Sequence, residues 1–441
     1  MKAIPKKRAA SREEKQHNQV VNAHHSSRRA FCSGLLAATG AIAFPAIGGY
    51  NAKVTVIGGG FGGAIAAKQL KILNPNLAVT LIEQHKAYYT CPLSNLVLAG
   101  VVPVKTICHK YTTLSQHGVR VVHGRAQKTG NGSVILTDGS QVPYDRVLVA
   151  PGIDFYNNRL PGYSAKDTAR IPHAWRAGEQ TTILRRQLEA MPDGGVVIIM
   201  PPPPPYRCPP APYERTGLIA HYLQLHKPAC KILILDSKEG FSQQTLFTDG
   251  WENFYGDMIE WRSAEAGGLV EAIDINRMMV KTEFGEERGD VINYIPPQHA
   301  GEIAINSGLT DDSGWCPINT LTFESTQIAG VHVIGDAAHA GRMTKSGYSA
   351  SAQGKAAAAA IVNLLQNNAP PTSNLDNICH SLVTPDYGIS VTSAYRADGQ
   401  TIVPIDKATS MSPRKASAEI RHQEARQARA WYDSITAEMF G

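Results

Sequence analysis

The sequence predicts an α/β fold with two Rossmann-like dinucleotide-binding domains and a C-terminal α+β domain. An apolar strand at residues 53–57 runs into a glycine-rich turn, and a helix at 64–70 and a second strand ending in Glu83 follow. Another strand–helix–strand unit lies between residues 195 and 236, with its helix at 213–225. Because strands that alternate with helices form parallel sheets covered by those helices, the two units predict two such sheets in one chain.

The positive charge of the 441-residue chain is concentrated at its start. The formal net charge is +6, and residues 1–50 carry eight basic and two acidic side chains, so the remaining residues are neutral in sum. This distribution argues against a basic nucleic-acid-binding domain.

Residues 1–49 predict an export signal. Arg28 and Arg29 precede Phe31, and a moderately apolar stretch at 30–47 leads into the first strand. Consecutive arginines before such a stretch are typical of the twin-arginine pathway. We therefore expect a periplasmic protein that is exported already folded around a cofactor; the alternative is an uncleaved N-terminal anchor.

The glycine-rich turn has the spacing of a dinucleotide site. Gly58, Gly60 and Gly63 fit the pattern G-x-G-x-x-G. The first glycine permits a tight turn, the second lets a pyrophosphate approach the backbone, and the third lets the helix pack closely on the strand. The phosphates are then expected at the helix N-terminus, and Glu83 is expected to hold the ribose.

Two later segments favour FAD over NAD at this site. One apolar strand, 146–149, leads into Ala150 and Gly152, and another, at 331–334, leads into Gly335 and Asp336. Both resemble the returning segments of FAD-dependent flavoproteins of the disulfide-reductase type, in which the terminal Asp accepts hydrogen bonds from the ribityl chain.

A helix is expected to begin at Ser346, Gly347 and Tyr348. Its N-terminus would point at the flavin pyrimidine ring and stabilise negative charge on the reduced flavin.

The second dinucleotide site lacks its glycine turn. Eight of the twelve residues at 201–212 are proline. Proline has no N–H for a phosphate and cannot adopt a positive φ, so we predict that no nicotinamide cofactor binds there. The alternative for the proline run is a polyproline II recognition segment.

Six cysteines remain after the predicted signal, and sequence alone leaves fifteen pairings open. Cys208 follows the proline run, Cys316 lies 108 residues later, and Cys91 lies eight residues beyond Glu83. There is no C-x-x-C-H motif, so this chain attaches no c-type haem itself.

From residue 53 onwards the sequence resembles the flavoprotein subunits of flavocytochrome c sulfide dehydrogenase. The resemblance extends over separate motifs, namely Tyr-Tyr-Thr-Cys at 88–91, residues 172–180, Tyr-Arg-Cys-Pro-Pro at 206–210, Pro-Tyr-Glu-Arg at 212–215, Gly-Trp-Cys-Pro at 314–317, residues 333–336 and 345–349, Trp-Tyr at 431–432, and Phe-Gly at 440–441.

The resemblance implies a covalent bond from Cys91 to FAD and a redox-active disulfide between Cys208 and Cys316. It also implies that Trp431 lies between the flavin and a haem on a separate cytochrome subunit; ordinary interface packing is the alternative. Glu214, six residues after Cys208, is a candidate for handling the proton of hydrogen sulfide, and a solvated acid in a first helical turn is the alternative.

The predicted domains are the export signal at 1–49, an FAD-binding domain at 50–165 and 296–365, a degenerate dinucleotide-binding domain at 166–295, and a flavin and cytochrome interface domain at 366–441. The predicted function is oxidation of sulfide to sulfur or polysulfide with a c-type cytochrome as acceptor, in a heterodimer without a metal site on this chain. The alternatives are a flavoprotein that oxidises another reduced sulfur compound or reduces quinone, and a non-catalytic flavin-binding assembly protein.

Overall fold

A computed structural model describes residues 51–441 of the chain; the predicted export signal lies outside the described residues. The α-helices are, in chain order, α1 Phe61–Leu73, α2 Ser94–Leu98, α3 Glu179–Ala190, α4 Ala211–His226, α5 Gln244–Tyr255, α6 Glu302–Asn306, α7 Gly347–Leu365 and α8 Ala418–Phe440.

The strands are, in chain order, β1 Lys53–Ile57, β2 Ala78–Glu83, β3 Ala87–Tyr89, β4 Cys108–Lys110, β5 Arg120–His123, β6 Ala126–Gly130, β7 Ser133–Leu136, β8 Gln141–Pro143, β9 Arg146–Val149, β10 Ile153–Phe155, β11 Val196–Met200, β12 Lys231–Leu235, β13 Ile259–Arg262, β14 Val270–Asp274, β15 Met279–Thr282, β16 Gly285–Arg288, β17 Val291–Tyr294, β18 Gln298–Ala300, β19 Val331–Val333, β20 Leu375–Thr384, β21 Tyr387–Ala397, β22 Ile402–Pro404 and β23 Ser410–Met411.

The first sheet is parallel and has the strand order β19-β9-β1-β2-β5. Its central strands are nearly continuous runs of buried aliphatic residues, as expected for a sheet covered on both faces. Helices α1 and α7 pack against each other beside it. The sheet is completed only by β19, so the chain leaves this domain after β9 and returns to it much later.

The second parallel sheet has the order β13-β12-β11-β17. Helix α4 connects β11 to β12 and is buried along most of its length. It begins two residues earlier than the sequence predicts, because Pro212 occupies its first turn, where a missing N–H costs no hydrogen bond.

The C-terminal part of the chain is an antiparallel sheet with a helix packed on it. β20 and β21 pair along almost their whole length, β22 and β23 both pair with β21, and α8 packs against β21. Helix α4 of the second sheet also contacts β20, so β20 brings residues of the C-terminal sheet next to the segment that follows the proline run.

Among residues 51–441, no helix combines the length and the apolar character that crossing a membrane requires.

Candidate active site

The glycine turn has the geometry that a dinucleotide needs. Gly58 has φ +94°, and a Cβ there would lie 2.3 Å from the Ala150 carbonyl oxygen. A Cβ on Gly63 would lie 1.9 Å from the Gly58 carbonyl oxygen, so α1 can approach β1 only because residue 63 is glycine. Helix α1 begins at Phe61, three residues earlier than predicted, with Gly60 as its N-cap. Its first N–H groups are therefore presented at the turn itself.

The acid at the end of β2 lies beside this turn. Glu83 is buried, and its Oε2 accepts a hydrogen bond from the Gly59 N–H at 2.8 Å while its Oε1 accepts one from the His85 N–H at 2.9 Å. These bonds fix the carboxylate next to the glycines, where a ribose is expected.

The returning strands β9 and β19 end on the same side of the sheet. The Ala150 N–H donates to the Ile57 carbonyl at 2.8 Å, and Gly152 follows with φ +66° and no atom within 4 Å of the place a Cβ would take. After β19, Gly335 has φ +73° and donates its N–H to Gln353 Oε1 at 2.7 Å. Asp336 follows it into the interior.

Asp336 is the polar group that most clearly requires a ligand. It is buried, and its Oδ1 has no hydrogen-bond partner among the described residues. Burial raises the pKa of this carboxyl, and Arg207 and Lys345 partly offset that effect. An orphaned buried oxygen is rare in native structures, and the hydroxyls of a ribityl chain would satisfy it.

Helix α7 begins at Gly347 and is capped by Ser346, whose Oγ accepts from the Ser349 N–H at 3.0 Å. A Cβ on Gly347 would lie 3.2 Å from the Phe61 ring, so the N-termini of α1 and α7 lie close together. The glycine turn, the orphaned Asp336 and two adjacent helix N-termini together fit FAD, whose phosphates and flavin ring both favour positive helix ends.

Cys91 lies between β3 and α2, and its thiol donates to the Trp175 carbonyl at 3.4 Å. The Arg207 Nη2 donates to the same carbonyl. A guanidinium thus stands beside the thiol that is expected to carry FAD. The Trp175 Nε1 is buried and has no partner among the described residues.

Cys208 lies in the loop before α4 in a left-handed conformation, with φ +56°. Its N–H donates to the Lys345 carbonyl at 2.7 Å, which ties this loop to the start of α7. Burial raises the pKa of the Cys208 thiol, and among the neighbouring ionisable groups Cys379 adds most to that rise, followed by Glu214.

The Cys379 thiol, and not the Cys316 thiol, is among the groups that act on Cys208. Cys316 is fully buried near Lys345, its backbone pairs with Ala338, and burial raises the pKa of its thiol to about 12. It is not among the groups that act most strongly on Cys208. Cys379 is brought to Cys208 by β20, which the sequence could not place against α4. All six cysteines of the described part are free thiols.

Glu214 is in the first turn of α4 but is not solvated. It is half-buried, its Oε2 accepts from Asn95 Nδ2 at 2.7 Å, and its Oε1 accepts from the Leu382 N–H at 3.0 Å. Burial raises the pKa of Glu214 to about 7, against the effect of both hydrogen bonds and of Arg215. A carboxyl with this pKa can both accept and release a proton at neutral pH.

The acid of the second dinucleotide-type unit is bonded to groups of the protein itself. Asp236 follows β12, where a nicotinamide ribose would be held, and it is fully buried. It accepts from Tyr213 Oη at 2.5 Å and from Trp261 Nε1 at 3.1 Å, and it forms an ion pair with Lys238 at 2.5 Å. Lys238 Nζ also donates to the Pro202 carbonyl at 3.2 Å, which fixes the proline segment in place. The acid is thus already saturated.

Trp431 on α8 is half-buried in an aromatic stack. Its ring lies 6.4 Å from Phe61 at an interplanar angle of 8° and 6.1 Å from Tyr348 at 19°. His380 on β20 lies 6.2 Å from the same ring. The stack extends from the glycine turn and the start of α7 to a partly exposed indole.

Sequence reasoning assigned no role to four residues of this site, although two of them lie within the motifs that carry the resemblance. They are Asn95, Arg207, Lys345 and Cys379. For Cys379 the sequence carried no such signal, because the alternation along β20 is one of burial, with Cys379 buried between the half-buried Ile378 and His380.

Three family matches cover most of the described chain. Residues 181–296 match "Sulfide dehydrogenase (flavocytochrome c) flavoprotein chain, central", residues 371–440 match "Flavocytochrome c sulphide dehydrogenase, flavin-binding", and residues 52–197 match "Pyridine nucleotide-disulphide oxidoreductase".

Two individual proteins are also similar to this chain in sequence. The chain is 56% identical over 45 residues to the sulfide dehydrogenase flavoprotein chain of Chlorobaculum thiosulfatiphilum, which is 10% of this chain and 94% of that one. It is 23% identical over 306 residues to the mitochondrial sulfide:quinone oxidoreductase of Dictyostelium discoideum, which is 64% of this chain and 65% of that one.

Solved structures confirm the predicted fold class. The sulfide:quinone oxidoreductase of Aquifex aeolicus has a TM-score of 0.66 at 17% identity over 88% of this chain and 92% of that one. The putidaredoxin reductase–putidaredoxin complex has a TM-score of 0.64 at 15% identity over 86% and 93%. At these identities the likeness concerns the fold alone.

The two specific family matches and the close relative agree with the site geometry, and the chain belongs to the family of flavocytochrome c sulfide dehydrogenase flavoprotein chains, which are FAD-dependent oxidoreductases.

Proposed function

We propose that this flavoprotein oxidises sulfide to sulfur or polysulfide at Cys208 and passes the electrons to a separate c-type cytochrome. The observation that carries the proposal is the group formed by Cys208, Cys379 and Glu214, which is tied through Lys345 to the start of α7 on the FAD side of the molecule. Family membership and the sulfide:quinone oxidoreductase relatives support sulfide as the substrate.

The redox disulfide in this proposal joins Cys208 to Cys379. Hydrosulfide attacks the Cys208 sulfur, a bond forms between the two sulfurs, and the Cys208–Cys379 bond breaks. Its electron pair remains on Cys379 as a thiolate, and Cys208 becomes a persulfide. Because Cys208 follows an exposed proline segment whereas Cys379 is buried on β20, the sulfur chain grows on the more accessible residue.

Glu214 takes up the proton that the bound sulfide or the persulfide releases. Its carboxyl acts on both thiols, since it raises the pKa of Cys208 and of Cys379. Because its pKa is about 7, Glu214 is mostly deprotonated above that pH and can accept a proton there.

FAD supplies an acceptor for an electron pair that it can release one electron at a time, which suits a haem. The residues that would hold it are the glycines at 58, 60 and 63, Glu83, Asp336, and the N-termini of α1 and α7. We propose that Cys91 binds FAD covalently, with Arg207 next to the thiol at the Trp175 carbonyl.

The acceptor is a periplasmic cytochrome subunit that carries the haem, and electrons pass from the flavin to it through Trp431. Asp236 is already bonded to Tyr213 and Lys238, which argues against a nicotinamide cofactor as the acceptor. Export through Arg28 and Arg29 would put both subunits in one compartment, and replacing both arginines by Lys should retain the chain in the cytoplasm on cell fractionation.

Rapid mixing of the purified flavoprotein with sulfide tests the proposal. The flavin absorbance should bleach in the native protein and in Cys316→Ser, and it should persist in Cys208→Ser and in Cys379→Ser. Loss of bleaching in Cys316→Ser together with normal bleaching in Cys379→Ser would establish the pair Cys208–Cys316 instead. Reoxidation by cytochrome c and not by a soluble quinone analogue is the expected outcome of the second mixing step; reoxidation by the quinone alone would contradict the cytochrome assignment.

A further inference from the structure

Two arginines near the thiols, one buried and one half-buried, have no carboxylate ion pair. Arg215 is 2% exposed. Its guanidinium donates to Asn95 Oδ1 at 3.1 Å, to Asn293 Oδ1 at 2.8 Å, and to the carbonyls of residues 173 and 174 at 2.9 and 2.6 Å. All of these acceptors are neutral, so they satisfy its N–H groups but leave its charge uncompensated.

Arg207 is half-buried and also lacks a carboxylate partner. Its side chain donates to the Trp175 carbonyl and its N–H donates to Gln298 Oε1 at 2.9 Å. Among the ion pairs formed within residues 51–441, neither Arg207 nor Arg215 takes part in one. A buried charge without a counter-ion is costly, so the site requires an anion.

The charged groups around these arginines do not supply this anion in full. Arg207, Arg215 and Lys345 face two carboxyls, Glu214 and Asp336. Burial raises the pKa of both carboxyls, so they offer less than two negative charges near neutrality. His173 and the phenol of Tyr88 are the other titratable groups nearby; burial keeps both neutral, with the pKa of His173 lowered to about 3 and that of Tyr88 raised.

Two sulfur atoms, those of Cys91 and Cys208, are also near the arginines. Arg207 shares the Trp175 carbonyl with the Cys91 thiol and adjoins Cys208 in the chain. Both guanidinium groups interact electrostatically with Cys91 and Cys208. Hydrogen sulfide ionises near neutrality, so its anion and a Cys208 thiolate or persulfide are the anions that this pocket would meet.

We propose that Arg207 and Arg215 form an anion site which takes sulfide as the hydrosulfide anion and holds it beside Cys208. Arg207 is the residue nearest to the chemistry. Arg215 is a positioning residue, because its guanidinium bonds fix α4 to the Asn95 and His173 segments. The assignment of hydrosulfide rests on the proposed function, whereas the anion site itself can be tested without turnover.

Alkylation of the intact, reduced flavoprotein with two reagents of different charge tests the site. Iodoacetate and iodoacetamide attack a thiolate by the same chemistry, but only iodoacetate is an anion. The ratio of their rates at each cysteine, read by peptide mass spectrometry, reports the local potential. Cys108 is the internal control, since it is also half-buried and its side chain interacts with Tyr89 instead of a cation.

We expect the ratio of iodoacetate to iodoacetamide rates to be about tenfold higher at Cys208 than at Cys108. Arg207→Gln should remove most of that difference, and Arg207→Lys should restore it. Arg159→Gln, at an exposed arginine over the Tyr156 ring, should leave it unchanged. Equal ratios at Cys208 and Cys108 in the native protein would overturn the anion site, and so would an unchanged ratio in Arg207→Gln.

The substrate form has its own measurement. If hydrosulfide binds, the total sulfide needed for half-maximal flavin reduction should fall as the pH rises through the ionisation of hydrogen sulfide, and Arg207→Gln should raise it at every pH. If the total sulfide needed for half-maximal flavin reduction instead increases as the pH rises, binding of sulfide as the anion would be overturned. If the ratio of iodoacetate to iodoacetamide rates is raised at Cys208 but sulfide does not reduce the flavin, the proposed function is refuted while the anion site is supported.

Discussion

Glu214 should control the pH dependence of flavin reduction. Burial raises its pKa from 4.5 to about 7 even though two hydrogen bonds favour its charged form. At about 1.4 kcal/mol for each pH unit, the site disfavours the carboxylate by about 3 kcal/mol relative to water. Glu214 therefore leaves the free energy of unfolding unchanged below about pH 4.5 and lowers it progressively as the pH rises towards 7.

The replacement Glu214→Gln removes the proton acceptor and its titration. The amide nitrogen of Gln cannot accept from Asn95 Nδ2, so one hydrogen bond is lost while the bond to the Leu382 N–H is retained. The limiting rate of flavin reduction in the native protein should rise with pH around an apparent pKa of about 7. In the variant, the rate should be lower by about 10²- to 10⁴-fold, and the rise should disappear.

Rapid mixing at saturating sulfide between about pH 5.5 and 9 measures this profile, and flavin content at each pH shows that the site remains loaded. Glu179→Gln is the matched control, because Glu179 is also in the first turn of a helix but is exposed. A Glu214→Gln protein with the native rate and the native inflection would refute the reasoning, as would the same loss in the control.

Three further changes test other parts of the site. Gly63→Ala should lose most of its FAD, because the new Cβ would meet the Gly58 carbonyl at 1.9 Å, whereas Gly130→Ala meets nothing within 4 Å and should retain it; flavin absorbance per chain measures both. Cys91→Ser should release its flavin on acid precipitation while the native protein retains it, and release from the native protein would contradict a covalent bond. Trp431→Leu should keep native reduction by sulfide but transfer electrons to cytochrome c at least severalfold more slowly; an unchanged transfer rate would exclude the indole from the path.

The predictions that hold for the fold depend on local patterns. A glycine that needs a positive φ, an apolar strand and an acid at a fixed spacing express backbone constraints within some 30 residues of one another, as at Gly58 and Glu83. The prediction made from the proline segment is also local, because a residue without an N–H cannot donate to a phosphate wherever it folds. Helix starts were less well predicted: α1 includes Gly62 and Gly63, whose helical state depends on packing against β1 and α7.

By itself, the sequence determined the two dinucleotide-type units, the family and the acid–thiol segment that contains Cys208 and Glu214, since each of these is written in contiguous residues. Only the tertiary structure brings β20, and with it Cys379, next to the segment of Cys208, because β20 lies far along the chain and reaches α4 through packing that no local pattern encodes. It also decided the charge of Glu214 and the uncompensated Arg207 and Arg215, since a pKa and a counter-ion depend on what lies nearby in space.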